Sequence, residues 1–131
     1  MRCLIVDDDL ASRRLLEKIL EPYADCDFAL DGGEAIAAVR LALDDRRPYD
    51  LICLDIMMPE MDGQAALRNI RAQEEAREII SSSGAKIVMT TALADRGNVI
   101  EAAKNHCDGF LVKPIQKERL INELRKLKLI S

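Results

Sequence analysis

Short apolar runs alternate with longer amphipathic stretches along the whole chain. The runs are aliphatic and are bounded by Asp, Gly or Pro, which is typical of strands buried on both faces of a parallel sheet. We predict five strands, over residues 3–6, 27–30, 51–54, 86–90 and 110–112. The second of these runs is the weakest, and the other four are strongly apolar.

The stretches between the runs carry apolar residues three and four positions apart, the spacing of one face of a helix. They predict five helices. Their stripes are Leu15, Leu16, Ile19 and Leu20, then Ala35, Ile36, Val39 and Leu43, then Ala66, Leu67, Ile70 and Ala76, then Val99, Ile100 and Ala103, and finally Leu120, Ile121, Leu124 and Leu127.

Polar residues mark where these helices begin. Asp31 and Glu34 have capping-box spacing, Asp9 follows a strand where an aspartate usually caps a helix, and Asp62 precedes a glycine as in a turn that starts a helix. Pro114 is expected to open the last helix. The order βαβαβαβαβα predicts an α/β fold with a doubly wound parallel sheet, right-handed crossovers and helices on both faces.

Composition narrows the class of protein. The chain has 131 residues, 49% of them hydrophobic, and a formal net charge of −4. This length predicts a single domain over residues 1–131, and the hydrophobic content argues against disorder. The low aromatic content and acidic balance give no support to nucleic-acid binding. No run is long enough to cross a membrane. The four cysteines show no metal-ligand spacing and are expected to be free thiols in the cytoplasm.

Candidate chemistry lies at the ends of the predicted strands. Asp7 and Asp8 follow the first strand, Asp55 the third, Thr91 the fourth and Lys113 the fifth. Because ligands of an open parallel sheet bind beyond the carboxyl ends of its strands, these side chains should share one rim. Clustered carboxylates repel each other unless a cation neutralises them, and a hard divalent ion such as Mg²⁺ suits oxygen ligands. Lys113 adds a positive charge for an anion, so the rim suits a phosphoryl group beside a metal.

The segments that carry these residues resemble the receiver domains of two-component response regulators. They are Leu4-Ile-Val-Asp-Asp-Asp9, Leu51-Ile-Cys-Leu-Asp-Ile-Met-Met-Pro-Glu-Met-Asp-Gly63, Val88-Met-Thr-Thr-Ala92 and Gly109-Phe-Leu-Val-Lys-Pro114. The resemblance covers essentially the whole chain. It implies a flavodoxin-like (βα)5 three-layer sandwich with strand order 2-1-3-4-5.

The resemblance also implies an acceptor and a metal site. The phosphoacceptor of the family falls on Asp55. The ligands of Mg²⁺, or of Mn²⁺ in its place, fall on Asp8, Asp55 and the backbone carbonyl of Met57, with Asp7 helping through water. The chain is then a phosphorylation-activated switch rather than an enzyme. Its phosphoryl donor is a sensor histidine kinase or a phosphotransfer protein.

Further residues correspond to the switching parts of a receiver. Thr91 matches the hydroxyl that contacts the phosphoryl oxygens, Lys113 the phosphate-binding lysine and Ala92 the small residue that leaves room for the phosphoryl. Phe110 matches the switch aromatic. The peptide bond between Lys113 and Pro114 is expected to be cis, as is typical of the family. A change in the face formed by the fourth helix, fifth strand and fifth helix would alter affinity for a protein partner.

Two departures from the family pattern refine this expectation. Receivers that dephosphorylate quickly have polar residues two positions after the acceptor and after the switch threonine, whereas this chain has Met57 and Leu93. We therefore expect a long-lived phosphoryl group. The switch aromatic is Phe110 rather than tyrosine, so it can pack but cannot donate a hydroxyl hydrogen bond. On the first helix, Arg13, Arg14 and Glu17 beside Leu10 and Ala11 are a candidate kinase-docking surface.

Three rival interpretations remain at this point. A phosphatase of the haloacid-dehalogenase type also uses a nucleophilic aspartate, but it needs an acid where this chain has Met57. A flavin binder needs a Ser/Thr/Gly phosphate loop after the first strand, where this chain has three aspartates. A degenerate receiver would act as a scaffold without phosphorylation, and the complete set of site residues argues against it.

Overall fold

The computed structural model describes residues 1–58, 61–80, 82–92 and 96–131. All five predicted strands are present and parallel. They are β1 (Arg2–Val6), β2 (Asp25–Ala29), β3 (Leu51–Asp55), β4 (Lys86–Thr91) and β5 (Gly109–Val112). They form one sheet in the order β2-β1-β3-β4-β5, which confirms the order implied by the resemblance. A helix separates each strand from the next, and the five helices are α1 (Leu10–Leu20), α2 (Gly32–Asp44), α3 (Gly63–Ala76), α4 (Arg96–Lys104) and α5 (Lys117–Lys126).

Three of the predicted helix starts are confirmed by hydrogen bonds. The side chains of Asp9, Asp31 and Asp62 each accept a backbone N–H three residues later, at 3.1, 2.8 and 2.9 Å, and begin α1, α2 and α3. The capping box predicted at α2 has a second hydrogen bond. The carboxylate of Glu34 accepts the N–H of Leu30, the residue before the cap, at 3.0 Å. Each cap satisfies a donor that the first helical turn cannot pair internally.

The core has two halves because successive residues of a strand point to opposite faces of the sheet. On one face, Leu4, Ile52 and Met89 pack in the cluster that includes the buried residues of α2 and α3. On the other face, Ile5, Val88 and their neighbours pack against the apolar stripes of α1 and α5. The helices therefore cover both faces, as predicted from the order of the elements.

The prediction was wrong in detail at two helices. In α4 the buried residue is Ala102, whereas Val99 and Ile100 are 40% and 46% exposed. The helical period alone could not tell which side of this short helix faces the sheet. The last helix begins at Lys117, with Gln116 as its N-cap, and not at Pro114. Residue Ile115 lies between them and is buried, so the chain packs one more apolar side chain before it turns.

A polar network closes the end of the sheet opposite the strand ends discussed above. The guanidinium of Arg71 in α3 donates to Glu74 at 2.7 Å, to the Ala85 carbonyl at 2.8 Å and to Asp108 at 2.8 Å. It also donates twice to the carbonyl of His106, at 3.1 and 2.8 Å. Arg71 and Glu74 are both buried. One side chain thus joins α3 to the start of β4 and to the turn before β5. The sequence pattern does not indicate these contacts.

Candidate functional site

The strand ends bring the predicted site residues together. The register pairs Val6 with Leu54 and Thr91 with Val112, so Asp7 follows β1 beside Asp55, the last residue of β3. Carboxylate oxygens of Asp7, Asp8 and Asp55 all lie within 4.8 Å of one another. Asp7 is fully buried and Asp55 is 3% exposed, whereas Asp8 is open to solvent. The cluster therefore has a buried floor and an exposed edge.

One ammonium group reaches this cluster from β5. The Nζ atom of Lys113 donates to Oδ2 of Asp7 at 2.6 Å and lies 3.3 Å from Oδ2 of Asp55. Among the described residues, Lys113 thus forms ion pairs with two of the three clustered carboxylates. The site therefore keeps excess negative charge, and this is the condition under which a second cation binds favourably.

Burial and charge shift the pKa of two groups in the site. Burial, followed by the charge of Asp7, raises the pKa of Asp55, and Lys113 and the N–H of Met57 only partly offset this. For Lys113, burial would lower the pKa, but its hydrogen bond to Asp7 and the charge of Asp55 outweigh burial and raise it. Lys113 therefore stays protonated. The ionised carboxylate of Asp55 is destabilised by its surroundings, and a bound cation would stabilise it.

Backbone groups fix the orientation of the acidic side chains. Oδ1 of Asp7 accepts the N–H of Asp9 at 2.9 Å, and Oδ1 of Asp55 is 3.3 Å from the N–H of Met57. The guanidinium of Arg13 donates to the backbone carbonyl of Asp7 at 2.9 Å. The amino-acid sequence does not indicate this contact. Arg13 lies six residues after Asp7 with α1 starting in between, and the rotamer that decides the contact is not visible in the sequence.

Gly63 is required where α3 passes close to the end of β3. A Cβ at this position would collide with the backbone carbonyl oxygen of Asp55 and would lie 2.8 Å from the Cα of Ile56. The N–H of Gly63 donates to the carbonyl of Ile56 at 2.9 Å. The Asp62-Gly63 pair thus starts α3 and also allows it to approach the end of β3 closely.

The other predicted residues that the structure describes lie at or near the ends of the same strands. Thr91 is buried at the end of β4, and Ala92 next to it is exposed. Phe110 is partly buried and packs against the core on the α2 and α3 face. Met57 is 54% exposed. The Lys113–Pro114 bond is cis, as expected. Leu93 lies outside the described residues.

Oxygen ligands at this spacing fit a hard divalent cation. Carboxylates close together, one of them exposed, match the Mg²⁺ preference for a few carboxylates with room for water. Among the described residues, no other group of three acidic, histidine or cysteine side chains converges in this way. The four cysteines of the chain are free thiols and take no part.

Comparison with known proteins identifies the family. The model of the response regulator receiver domain matches residues 3–125. The chain belongs to this family. It is a receiver domain of two-component signalling, and receivers act as signalling switches rather than as true enzymes. The match decides against the phosphatase and flavin-binding alternatives.

Relatives and solved structures agree with this assignment. The receiver is 33% identical over 126 residues to the chemotaxis protein CheY of Listeria monocytogenes, covering 96% of this chain and 97% of that protein. It is 36% identical to the response regulator PleD of Caulobacter vibrioides, covering 96% of this chain but only 26% of PleD. CheY in the CheX-CheY-BeF₃-Mg²⁺ complex of Borrelia burgdorferi has a TM-score of 0.84 at 26% identity, with 100% of this chain and 90% of that chain covered.

The same architecture occurs in receivers of larger proteins. The receiver domain of the histidine kinase CKI1 from Arabidopsis thaliana, in complex with Mg²⁺, has a TM-score of 0.84 at 28% identity and covers 96% of this chain and 90% of that one. Within the described part of the present receiver, no helix is both long and apolar enough to span a membrane.

Proposed function

We propose that this receiver is a phosphorylation-activated switch with Asp55 as its acceptor. The observation that carries the proposal is the position of Asp55, a buried carboxylate at a strand end, 3.3 Å from the ammonium of Lys113 and beside two further carboxylates. The donor is a phosphohistidine on a sensor histidine kinase or a phosphotransfer protein. Similarity to a segment of the rice protein named probable histidine kinase 4 supports this class of donor.

We propose that the acidic residues of the site bind the metal ion. Asp8, Asp55 and the backbone carbonyl of Met57 would ligate Mg²⁺ or Mn²⁺, and Asp7 would contribute through water. The bound cation would offset the negative charge that gathers around the transferring phosphoryl group. The fit rests on the three converging carboxylates and on the raised pKa of Asp55, whose first cause is burial, followed by the charge of Asp7.

The proposed transfer uses side chains that are already in place. A carboxylate oxygen of Asp55 attacks phosphorus in line, the bond from phosphorus to the donor histidine nitrogen breaks, and the neutral histidine leaves. Lys113 donates to one phosphoryl oxygen and the hydroxyl of Thr91 to another. Ala92 is the small residue that leaves space beside Thr91. Lys113 would then exchange part of its contact with Asp7 for the new anion.

Phosphorylation would change the face formed by α4, β5 and α5, and with it the affinity for a protein partner. Movement of Thr91 toward the phosphoryl group vacates space, and Phe110 turns inward to fill it, which shifts the population of two rim conformations. Phe110 is only partly buried, so a turn inward would bury more of its ring. The same face exposes Val99, Ile100 and Val112, which offer apolar contact area to a protein partner.

The kinase-docking surface is proposed on α1. Leu10 and Ala11 are exposed there, and Leu10 is 52% exposed. A surface cavity of about 350 Å³ extends this patch onto the sheet edge, and it is lined by Leu10, Arg13, Arg14, Glu17, Phe28 and Leu30. An apolar floor with a charged rim is the composition expected of a docking site. We also propose that the reaction takes place in the cytoplasm, where free thiols such as these four are the usual resting state.

Incubation with acetyl phosphate and Mg²⁺ tests the proposed function. The intact mass is expected to rise by one phosphoryl group, only when Mg²⁺ is present, and borohydride reduction should mark Asp55 in the digested protein. Beryllofluoride should shift the amide resonances of Thr91 and Phe110. An unchanged mass together with unchanged resonances would overturn the switch. Turnover of a phosphate ester would show an enzyme instead.

Met57 is expected to make the phosphoryl group long-lived. Its exposed thioether stands two residues after the acceptor and offers no group that could orient an attacking water. Replacing Met57 by Asn should shorten the lifetime of phospho-Asp55 about tenfold, because a positioned polar group speeds such hydrolysis by this order or more. The decay is measured by intact mass after the donor is removed. Met57→Leu is the matched control and should keep the slow decay, and equal decay rates in both variants would contradict the prediction.

A further inference from the structure

Three cysteines lie in a row on the face of the sheet that α1 and α5 cover. Cys26 of β2 is the direct register partner of Cys3 in β1. Cys53 of β3 is paired with Ile5 and lies on the same face as Cys3. The three thiols do not surround one point, because no cysteine group within the described residues meets the spacing of a metal site. They form a line of adjacent thiols with Cys3 in the middle.

Only one end of this row is open to solvent. Cys3 and Cys53 are 0% and 1% exposed, whereas Cys26 is partly exposed. Cys26 lies in the edge strand and lines a surface cavity of about 320 Å³ together with Glu17, Glu21, Ala24 and Asp25. A small oxidant can therefore reach Cys26 directly. The surrounding carboxylates repel anions and favour a neutral molecule.

We propose that Cys26 and Cys3 are a modification site at which a neutral peroxide forms a disulfide between β2 and β1. Register partners on neighbouring strands lie about 5 Å apart, within the range of about 4.4–6.8 Å between the Cα atoms of a disulfide. Because β2 has a neighbour on only one side, it can adjust its distance to β1. Cys53 is excluded as the first thiol to react because it is buried.

The reaction balances in two steps. The Cys26 thiolate attacks one oxygen of hydrogen peroxide, the O–O bond breaks, and the hydroxide that leaves is protonated to water, which leaves a sulfenic acid on Cys26. The sulfur of Cys3 then attacks the sulfur of Cys26. The S–S bond forms, the S–O bond breaks, and the hydroxyl leaves with the Cys3 proton as a second water. Two thiols lose two electrons, and one peroxide gains them.

The interaction between the thiols supports this order of events. The hydrogen bond from Cys3 lowers the pKa of Cys26, even though burial and the nearby Glu17 and Asp25 act in the opposite direction. Hydrogen bonding to its two thiol neighbours, together with burial, raises the pKa of Cys3. The exposed member of the pair is thus the more easily ionised one, as a thiol that reacts first must be.

The cross-link would not occupy the acceptor site. Cys3 lies four residues before Asp7, about 13 Å along an extended strand, and the loop that the bond closes contains all of α1. The proposal therefore does not depend on the proposed phosphorylation. An oxidised receiver should still take up phosphoryl from acetyl phosphate wherever the reduced one does.

Thiol labelling after peroxide treatment tests the proposal. The native chain is exposed to hydrogen peroxide, unfolded without reductant and alkylated. The wild type is expected to lose two labelled thiols of its four, to regain them after dithiothreitol, and to yield a cross-linked peptide that contains Cys3 and Cys26. Cys107→Ser should lose the same pair. Cys26→Ser should lose no pair, and its circular dichroism should remain that of the wild type.

Each other outcome would overturn the proposal. Four labelled thiols after oxidation would show that the pair does not form a bond. A cross-linked peptide that contains Cys53 or Cys107 in place of Cys26 would show that a different pair of cysteines forms the disulfide. Oxidation of Cys26 to the sulfinic acid with Cys3 still labelled would show that Cys3 cannot reach it.

Discussion

Asp55→Asn is expected to abolish phosphorylation by acetyl phosphate. Asparagine has nearly the same size and shape as aspartate, but its amide is not a nucleophile, so no acyl phosphate can form. The mass of the variant should stay unchanged under the Mg²⁺ and donor concentrations that modify the wild type fully. Asp31→Asn is the matched control, because asparagine also caps a helix well and Asp31, which caps α2, is not one of the three converging carboxylates. Phosphorylation of Asp55→Asn at the wild-type rate would place the acceptor elsewhere.

The same variant should be more stable than the wild type when a chelator is present. Burial and the charge of Asp7 raise the pKa of Asp55. A carboxyl group whose pKa is raised by folding stabilises the protein when protonated, and this contribution is lost as the pH rises through the raised value. The thermal midpoint of Asp55→Asn should therefore exceed that of the wild type at about pH 7, and the gap should narrow as the pH falls and Asp55 becomes protonated. A gap that widens on acidification would contradict this cause.

Arg71→Met is expected to lower the free energy of unfolding by about 3–5 kcal/mol, because it leaves the buried charge of Glu74 without its partner. Methionine replaces the aliphatic part of the arginine but none of its donors. Of the hydrogen bonds within the described residues, Glu74 keeps that from the N–H of Ala85, at 2.8 Å, and Asp108 keeps that from the N–H of Ile87, at 2.9 Å. The two carbonyls that Arg71 caps also lose a donor. Urea unfolding of the two proteins measures the difference.

Arg68→Met is the control in the same helix. Arg68 forms an ion pair with Glu101 at 3.1 Å, but both side chains are about half exposed. Such a surface pair contributes about 0–1 kcal/mol. A loss of similar size in the two variants would show that the Arg71 network does not stabilise the fold. The phosphorylation of folded Arg71→Met protein should persist, because the network lies at the other end of the sheet from Asp55.

Much of the candidate site could be predicted because its residues follow directly from strand ends. Once residues 3–6 and 51–54 are strands, Asp7 and Asp55 must lie at the carboxyl edge of a parallel sheet, whichever side chains surround them. The strand order came from the resemblance and not from the pattern. The apolar runs indicate which segments are strands, but they do not indicate which strands are neighbours in the sheet.

The contacts that could not be predicted join residues far apart in the chain or depend on a rotamer. Arg71 stands four residues after Leu67, on the buried face of α3, where its charge gives no sign of which groups it will bind. Its partners, Ala85, His106 and Asp108, follow 14 to 37 residues later. Arg13 could be recognised as part of a charged surface, but not as the donor to Asp7. The stripe of α4 was assigned to the wrong side because α4 has nine residues and one buried side chain.

The sequence by itself determined the alternation of strands and helices, the caps at Asp9, Asp31 and Asp62, and the set of charged residues at the strand ends. These features depend on local periodicity and on hydrogen bonds within one turn. Only the tertiary structure shows that Lys113 lies within 3.3 Å of both Asp7 and Asp55. The same is true of the contacts by which Arg71 joins α3 to the start of β4 and to the turn before β5, and of the pairing of Cys3 with Cys26. Each of these depends on strand register and on side-chain packing between segments that only the folded chain brings together.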